Sequence, residues 1–377
     1  DWVGLPNGTN VTLPPEHGSG IVTIGSDAFD TIPKGVAAVK EGGTVQVLTG
    51  TYASPVVITK TLNLLGDGPT DTFITGSGTG NGIQVERFAD GVTIEGFTIR
   101  NFGYGVHLDG RSANRIEGLT FANNVITGCA TGAITATYLN NGYFADNVLY
   151  NNTGFGLDLY VGDPNRIVNN HIYGISGFGL RIRNALGTEI SYNNIHDIDW
   201  NGIVVGNACT NTLVLHNTVR TTNRVNSPSG FNEGGIVLYN TTNTTVEYNE
   251  ISDVRDAGGS TDTAGIWIGG TDTGAAIHYN RALYNTNDGV LLWGFNAGSP
   301  PVINCNHIYG KRNTQVTTIN AEGNWWGRNT PTTGTSAPRD IYRPPANVDY
   351  IPWITVVLTP SQPTVSAGGS AIVITAT

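Results

Sequence analysis

The sequence predicts an all-β fold, a right-handed parallel β-helix solenoid with an N-terminal helical cap and a C-terminal β extension. The first observation behind this is a short pattern that returns about every 23 residues. It reads Phe121-Ala122-Asn123-Asn124-Val125-Ile126, then Phe144-Ala145-Asp146-Asn147-Val148-Leu149, then Ile167-Val168-Asn169-Asn170-His171-Ile172. Asn193 and Asn217 continue the series, and Asn249, Asn280 and Asn306 keep the same neighbours at looser spacing. The second is a Gly followed by alternating apolar residues, set between the asparagines: Gly105-Val106-His107-Leu108-Asp109, Gly156-Leu157-Asp158-Leu159-Tyr160, Gly179-Leu180-Arg181-Ile182-Arg183 and Gly235-Ile236-Val237-Leu238-Tyr239. The third is composition: 51 Gly and only 13% charged residues suit tight turns and a polar, uncharged coat.

Period-two strands joined by Gly/Asn turns at so short a repeat cannot each bury an apolar face, so they must stack on their neighbours. Stacking sets like residues above one another at about 4.8 Å, the spacing of adjacent strands. An inward Asn at each turn then bonds the Asn above and below, forming an asparagine ladder that satisfies buried donors and acceptors.

In chain order, residues 1–26 read as an extended leader, with Pro6, Pro14 and Pro15 amid Gly and Thr. Residues 27–353 form the β-helix. Its entry is a short amphipathic helix over Ile32–Glu41, ended by Gly42-Gly43 and followed by a strand, Thr44-Val45-Gln46-Val47-Leu48. A helix there covers the open end of the apolar core, which a terminal repeat would otherwise expose. The longer spacings place surface insertions at 221–233 and 253–263, where a solenoid often builds its working face. Asn324-Trp325-Trp326-Gly327 closes the helix, the two indoles acting as an aromatic plug rather than a sugar platform, and Asn347–Trp353 follows. Residues 354–377 hold two strands, about Ile354–Leu358 and Ala371–Ala376. They read as the start of an immunoglobulin-like β module or as assembly strands, since two strands do not stand alone.

The repeats, the helix-then-strand entry and the Asn324-Trp325-Trp326-Gly327 closure resemble the pectate-lyase-like β-helix superfamily, in particular the NosD-like surface and periplasmic proteins. The resemblance covers roughly residues 27–350. It implies the fold but no single activity, because that superfamily includes lyases, hydrolases, epimerases, adhesins and structural proteins.

A formal net charge of −10 argues against nucleic acid, whose phosphates need a basic footprint. Cys129, Cys209 and Cys305 fall in different coils and read as buried free thiols. No apolar run approaches the ~20 residues that span a bilayer. Five sequons, at Asn7, Asn10, Asn151, Asn240 and Asn243, fit an extracellular or cell-surface location.

Alternation lets one outer face be read directly. Its first column is His107, Ile134, Asp158, Arg181, Val204, Val237, Trp267 and Leu291; its second is Asp109, Ala136, Tyr160, Arg183, Gly206, Tyr239, Gly269 and Trp293. The catalytic candidates are Asp158, Arg181 and Arg183, since a uronate lyase needs a base for the α-proton and a cation to neutralise the carboxylate. Asp158 and Arg181 on adjacent coils equally make an ordinary cross-strand ion pair, and that is the better reading. His107, Asp109, Tyr160, Tyr239, Trp267 and Trp293 are the substrate-binding candidates. Asp253, Asp256, Asp262 and Asp272 offer oxygen ligands for Ca2+, against the plainer reading that they bond their own turns. Tyr192, His216, Tyr248 and Tyr279 precede the repeating Asn in four coils and read as a stacked aromatic surface.

No nucleophile elbow, phosphate loop, metal-ligand pair or lyase signature is present. The favoured function is an extracellular structural or adhesive protein that binds glycans and meets copies of itself or other surface proteins. The alternative is a secreted enzyme acting on an acidic polysaccharide.

Overall fold

The computed structural model describes residues 28–225, 233–257, 263–293, 300–309, 311–313 and 319–325, with short strands at Asn10–Thr12, Ile21–Thr23, Thr333–Gly334, Ile341–Tyr342 and Val348–Asp349. Each coil lays one strand in each of three sheets. One coil runs Thr120–Ala122, then Val125–Thr127, then Gly132–Thr137, and the chain re-enters the first sheet at Tyr143–Ala145. The first and third sheets have 13 strands each and the second has 11. Pairing between successive coils is parallel, with like residues in register: Phe121 faces Phe144, Ile126 faces Leu149, and Leu157 faces Leu180. The molecule is a right-handed parallel β-helix.

The core follows from the alternation. Phe121, Phe144, Ile167, Ile190 and Val214 line it from the first sheet. Ile126, Leu149, Ile172 and Ile195 do so from the second, and paired positions such as Val106/Leu108 and Leu180/Ile182 from the third. All are essentially inaccessible, and each contributes about 1.5–3 kcal/mol relative to exposure. The cap helix spans Ile32–Ala38, shorter than its sequence pattern, because Val39 adopts an extended conformation (ψ 141°). Ile32, Gly35 and Val36 are its buried residues, and it packs against Thr44–Val47 and Val56–Ile58.

At the turn from first to second sheet, the Asn residues are buried and bonded in one direction. The Asn147 Nδ2 donates to Asn170 Oδ1 at 2.9 Å, and the same bond repeats through Asn193, Asn217, Asn249, Asn280 and Asn306 to Asn324. Each of these oxygens also accepts the preceding Asn's backbone N–H. The residue before each Asn turns the chain at positive φ, from Asn123 (53°) to Cys305 (57°). Asn324 of the closing motif is thus the last rung among the described residues. Trp325 lies against His307, ring centroids 4.1 Å apart, while Trp326, Gly327 and Trp353 fall outside the described residues.

Two expectations change. Ile134 and Ala136 point inward, not outward. Val106 pairs with Ile134 and Leu108 with Ala136, so Gly132 lies one position earlier in the strand than Gly105 or Gly156, and Thr135 and Thr137 hold the outer positions. Gly132 lies between Tyr104 and Phe155, whose rings stack at 6.1 Å; a Cβ there would sit 2.3 Å from the Phe155 ring. Cys305 is exposed, because it occupies the outward turn position, whereas Cys129 and Cys209 are buried and all three are free thiols. Of the leader, only the antiparallel pair Asn10–Thr12 and Ile21–Thr23 is described; the proposed 354–377 strands lie outside the described residues.

Candidate functional site

The outer face of the third sheet brings the charged candidates together. Asp158 and Arg181 are register partners on adjacent coils, as are Tyr160 and Arg183. Arg181 grips the carboxylate with two bonds, Nε to Oδ1 at 3.0 Å and Nη2 to Oδ2 at 2.8 Å. Arg183 Nη2 donates to the same oxygens at 3.1 and 2.8 Å. Each carboxylate oxygen therefore accepts two charge-assisted bonds, and the Asp158 side chain is only 7% exposed. A carboxylate so occupied has no lone pair free to take a substrate proton. The trio carries one net positive charge on a chain that is negative overall.

Rings fix the guanidinium groups in place. Arg181 lies over Phe178 at 4.8 Å and Phe155 at 5.8 Å, and Arg183 lies over Tyr160 at 5.1 Å. These contacts cover one face of Tyr160 and hold both cations with little conformational freedom.

His107 and Asp109 stand on the same face but apart from this trio. His107 Nδ1 meets Asn81 Nδ2 at 3.1 Å, and Asp109 pairs with Arg111 at 3.0 Å. The coil carrying Thr135 and Thr137 separates them from Asp158 and Tyr160.

The aromatic half divides in two. Trp267 is 1% exposed and belongs to a second apolar cluster with Val237, Ala264 and Leu291, outside the main core. Its indole lies across Gly269, where a Cβ would meet Cη2 at 2.2 Å. Trp267 thus offers no face to a ligand, contrary to its reading from alternation; an outward strand position is covered here. Tyr239 and Trp293 remain 40% and 41% exposed. They occupy one outward column in which Gly206 precedes Tyr239 and Gly269 separates it from Trp293. Gly206 itself sets no side chain beside Tyr239, whereas on the other side the Trp267 ring lies 6.3 Å away, centroid to centroid.

The column Tyr192, His216, Tyr248, Tyr279 contrasts with this. Its rings stack at 4.8, 4.9 and 5.0 Å with planes within 9°. Each inner ring has both faces covered by its neighbours, leaving only edges to solvent.

The Ca2+ candidates do not converge. Asp253 pairs with Arg255, Asp256 accepts from Asn287, and Asp262 lies outside the described residues. Asp272 is buried and accepts from the Thr241 backbone N–H, the Thr241 hydroxyl and the Gly269 N–H. Burial nevertheless pushes its carboxyl up to about 6. Among the described residues, no group of three or more His, Cys, Asp or Glu is arranged to hold a metal.

A cluster on the second sheet escaped the sequence reading: His171, His196 and Asp197 beside Tyr150 and Tyr173. His171 is in register with Asn194 and Tyr173 with His196, so the two imidazoles meet diagonally. A repeat of 23 plus a two-residue step along one strand face was the signal that would have found them.

Residues 81–226 match the family model described as right handed beta helix region. This region is a right-handed β-helix. No curated protein matches the chain in sequence. Among solved structures, tailspike protein 2 from an Escherichia coli O157:H7 bacteriophage is 14% identical, with a TM-score of 0.54 over 84% of this chain and 44% of the tailspike. The DFA-IIIase of Arthrobacter chlorophenolicus A6 is 12% identical, with a TM-score of 0.51 over 81% of this chain and 87% of the enzyme. The A-module of a mannuronan C-5 epimerase from Azotobacter vinelandii is 18% identical at a TM-score of 0.45, covering 75% and 91%. The β-helix chain spans less than half of the tailspike's length. At these identities the likeness establishes the shared fold alone. Among the described residues no helix is long and apolar enough to cross a membrane.

Proposed function

We propose that the protein is a glycan-binding, adhesive β-helix of the cell surface, and that it holds an extended polysaccharide along the outer face of its third sheet. The observation that carries this reading is the column in which half-exposed Tyr239 and Trp293 alternate with Gly206 and Gly269. A sugar ring stacks on an aromatic face, and Gly206 puts no side chain beside Tyr239, while the Trp267 indole fills the gap over Gly269 between Tyr239 and Trp293. Tyr239 and Trp293 are two coils apart, about 10 Å at the ~4.8 Å strand spacing. An extended chain lying along the rod meets both. Arg181 and Arg183, bound to a single carboxylate, favour an acidic polymer such as a polyuronate.

Binding without turnover is favoured over the enzyme reading because Asp158, the base in that reading, spends its oxygens on two arginines. Affinity electrophoresis through gels containing polygalacturonate, alginate or a neutral glucan tests the proposal. The wild-type chain should be retarded by an acidic polymer without releasing reducing ends. Tyr239→Ala with Trp293→Ala should weaken retardation at least about tenfold, roughly 1.4 kcal/mol. Unchanged retardation in that double variant, or none in the wild type, rejects the face. Release of new chain ends would instead support the enzyme.

A further inference from the structure

The second sheet carries a pair of imidazoles that takes no part in the glycan face. His171 and His196 bring their Nε2 atoms within 2.8 Å. The other nitrogen of His196, Nδ1, meets Asp197 Oδ2 at 2.8 Å. Tyr150, Tyr173 and His196 form a three-ring stack, 5.2 Å per step and planes within 8°, and His171 leans on Tyr173 at 4.6 Å. Both imidazoles are therefore held by rings as well as by hydrogen bonds.

We propose that His171 and His196 form a bidentate site for a borderline divalent transition-metal ion such as Zn2+ or Ni2+. Metal–imidazole bonds are about 2.0–2.1 Å, so two nitrogens at a right angle about one ion lie ~3 Å apart. The observed separation needs to open by only a few tenths of an ångström. A carboxylate on the far nitrogen is the arrangement that fixes a ligating imidazole's tautomer and raises its basicity. Asp197 supplies it, leaving Nε2 of His196 as the ligand atom. Water completes the coordination, since no third His, Cys, Asp or Glu among the described residues joins the group. Arg220, in register with His196 on the next coil, and Arg224, which reaches Asp197 and Asp199, weigh against a divalent ion here. The site is accordingly open and exchangeable. Imidazole donors select Zn2+ or Ni2+ over the oxygen-seeking Mg2+.

Titration calorimetry of the full chain with Ni2+ in a non-chelating buffer is the test. One ion should bind per chain, and Mg2+ should give no heat. His171→Asn and His196→Asn should each weaken binding at least tenfold, Asp197→Asn about tenfold, and His216→Asn not at all, with the melting transition kept. A second measurement needs no variant: saturating Zn2+ should slow diethyl pyrocarbonate modification of His171 and His196 but not of His216. No Ni2+ binding by the wild type, full binding by the two histidine variants, or unprotected imidazoles would each overturn the assignment.

Discussion

At the residue scale, single groups decide more than columns do. Asp272 occupies a turn where all three of its bonding partners are donors, Thr241 N–H, Thr241 O–H and Gly269 N–H. A carboxylate suits that set better than the amide used at the Asn rungs, but burial makes the charge costly. With the folded carboxyl raised to about 6 from an ordinary 3.8, the folded state binds the proton more tightly than the unfolded chain. The sign follows: the stability linked to Asp272 is complete below the unfolded value and is lost as pH rises through about 6. A shift of this size is on the order of 3 kcal/mol. Urea unfolding of wild type and Asp272→Asn, at about pH 4 and about pH 7, should find the variant's relative stability higher at the upper pH by about 2–3 kcal/mol. Equal differences at the two pH values would place the proton elsewhere.

At the element scale, each coil is satisfied by the coils on either side of it. Asn170 accepts the Asn147 N–H and Nδ2, and donates to Phe144 O, Val168 O and Asn193 Oδ1. Asn170→Ala strands groups on both flanking coils and should destabilise the chain by at least about 2 kcal/mol in chemical denaturation, each unmet buried group costing about 1–3 kcal/mol. A loss under about 0.5 kcal/mol would mean that water substitutes for the amide. The Asn spacing made this column legible, since a turn repeated at one length must stack like on like. The Gly-started strands were less reliable guides. Gly marks a close approach rather than a fixed register position, so Gly132 misled the assignment of Ile134 and Ala136. Trp267 misled for another reason: alternation tells which side of a sheet a residue faces, not whether that side is covered. Asp158, Arg181 and Arg183 were placed together from sequence alone, but their four-bond geometry was not.

At the scale of the whole molecule, neighbours on both sides are what an interior coil has and an end coil lacks. Stability in such a stack is the sum of coil terms and interfaces between adjacent coils. Amides of the interior strands Ile167 and Ile190 should exchange with deuterium at least tenfold more slowly than that of Ile303, close to the last rung. Uniform exchange along the rod would instead mean that it opens as one unit. The same repetition explains why the fold was more legible than the site. A fold repeated coil after coil is written many times over, whereas His171 and His196 meet once.

The stacked asparagines have an electrical consequence. From Asn147 to Asn306 each side-chain amide gives one N–H to the oxygen of the next rung, so the rung oxygens from Asn170 to Asn324 face back toward the N-terminal end, while the same nitrogens also donate to carbonyls of the preceding coil. Amide dipoles aligned head to tail polarise one another and add. The rod therefore has an arrow along its axis, positive toward the last rung. Two such rods meeting end to end are favoured when their arrows run the same way and opposed when they point at each other, so any fibre built on this axis inherits a direction.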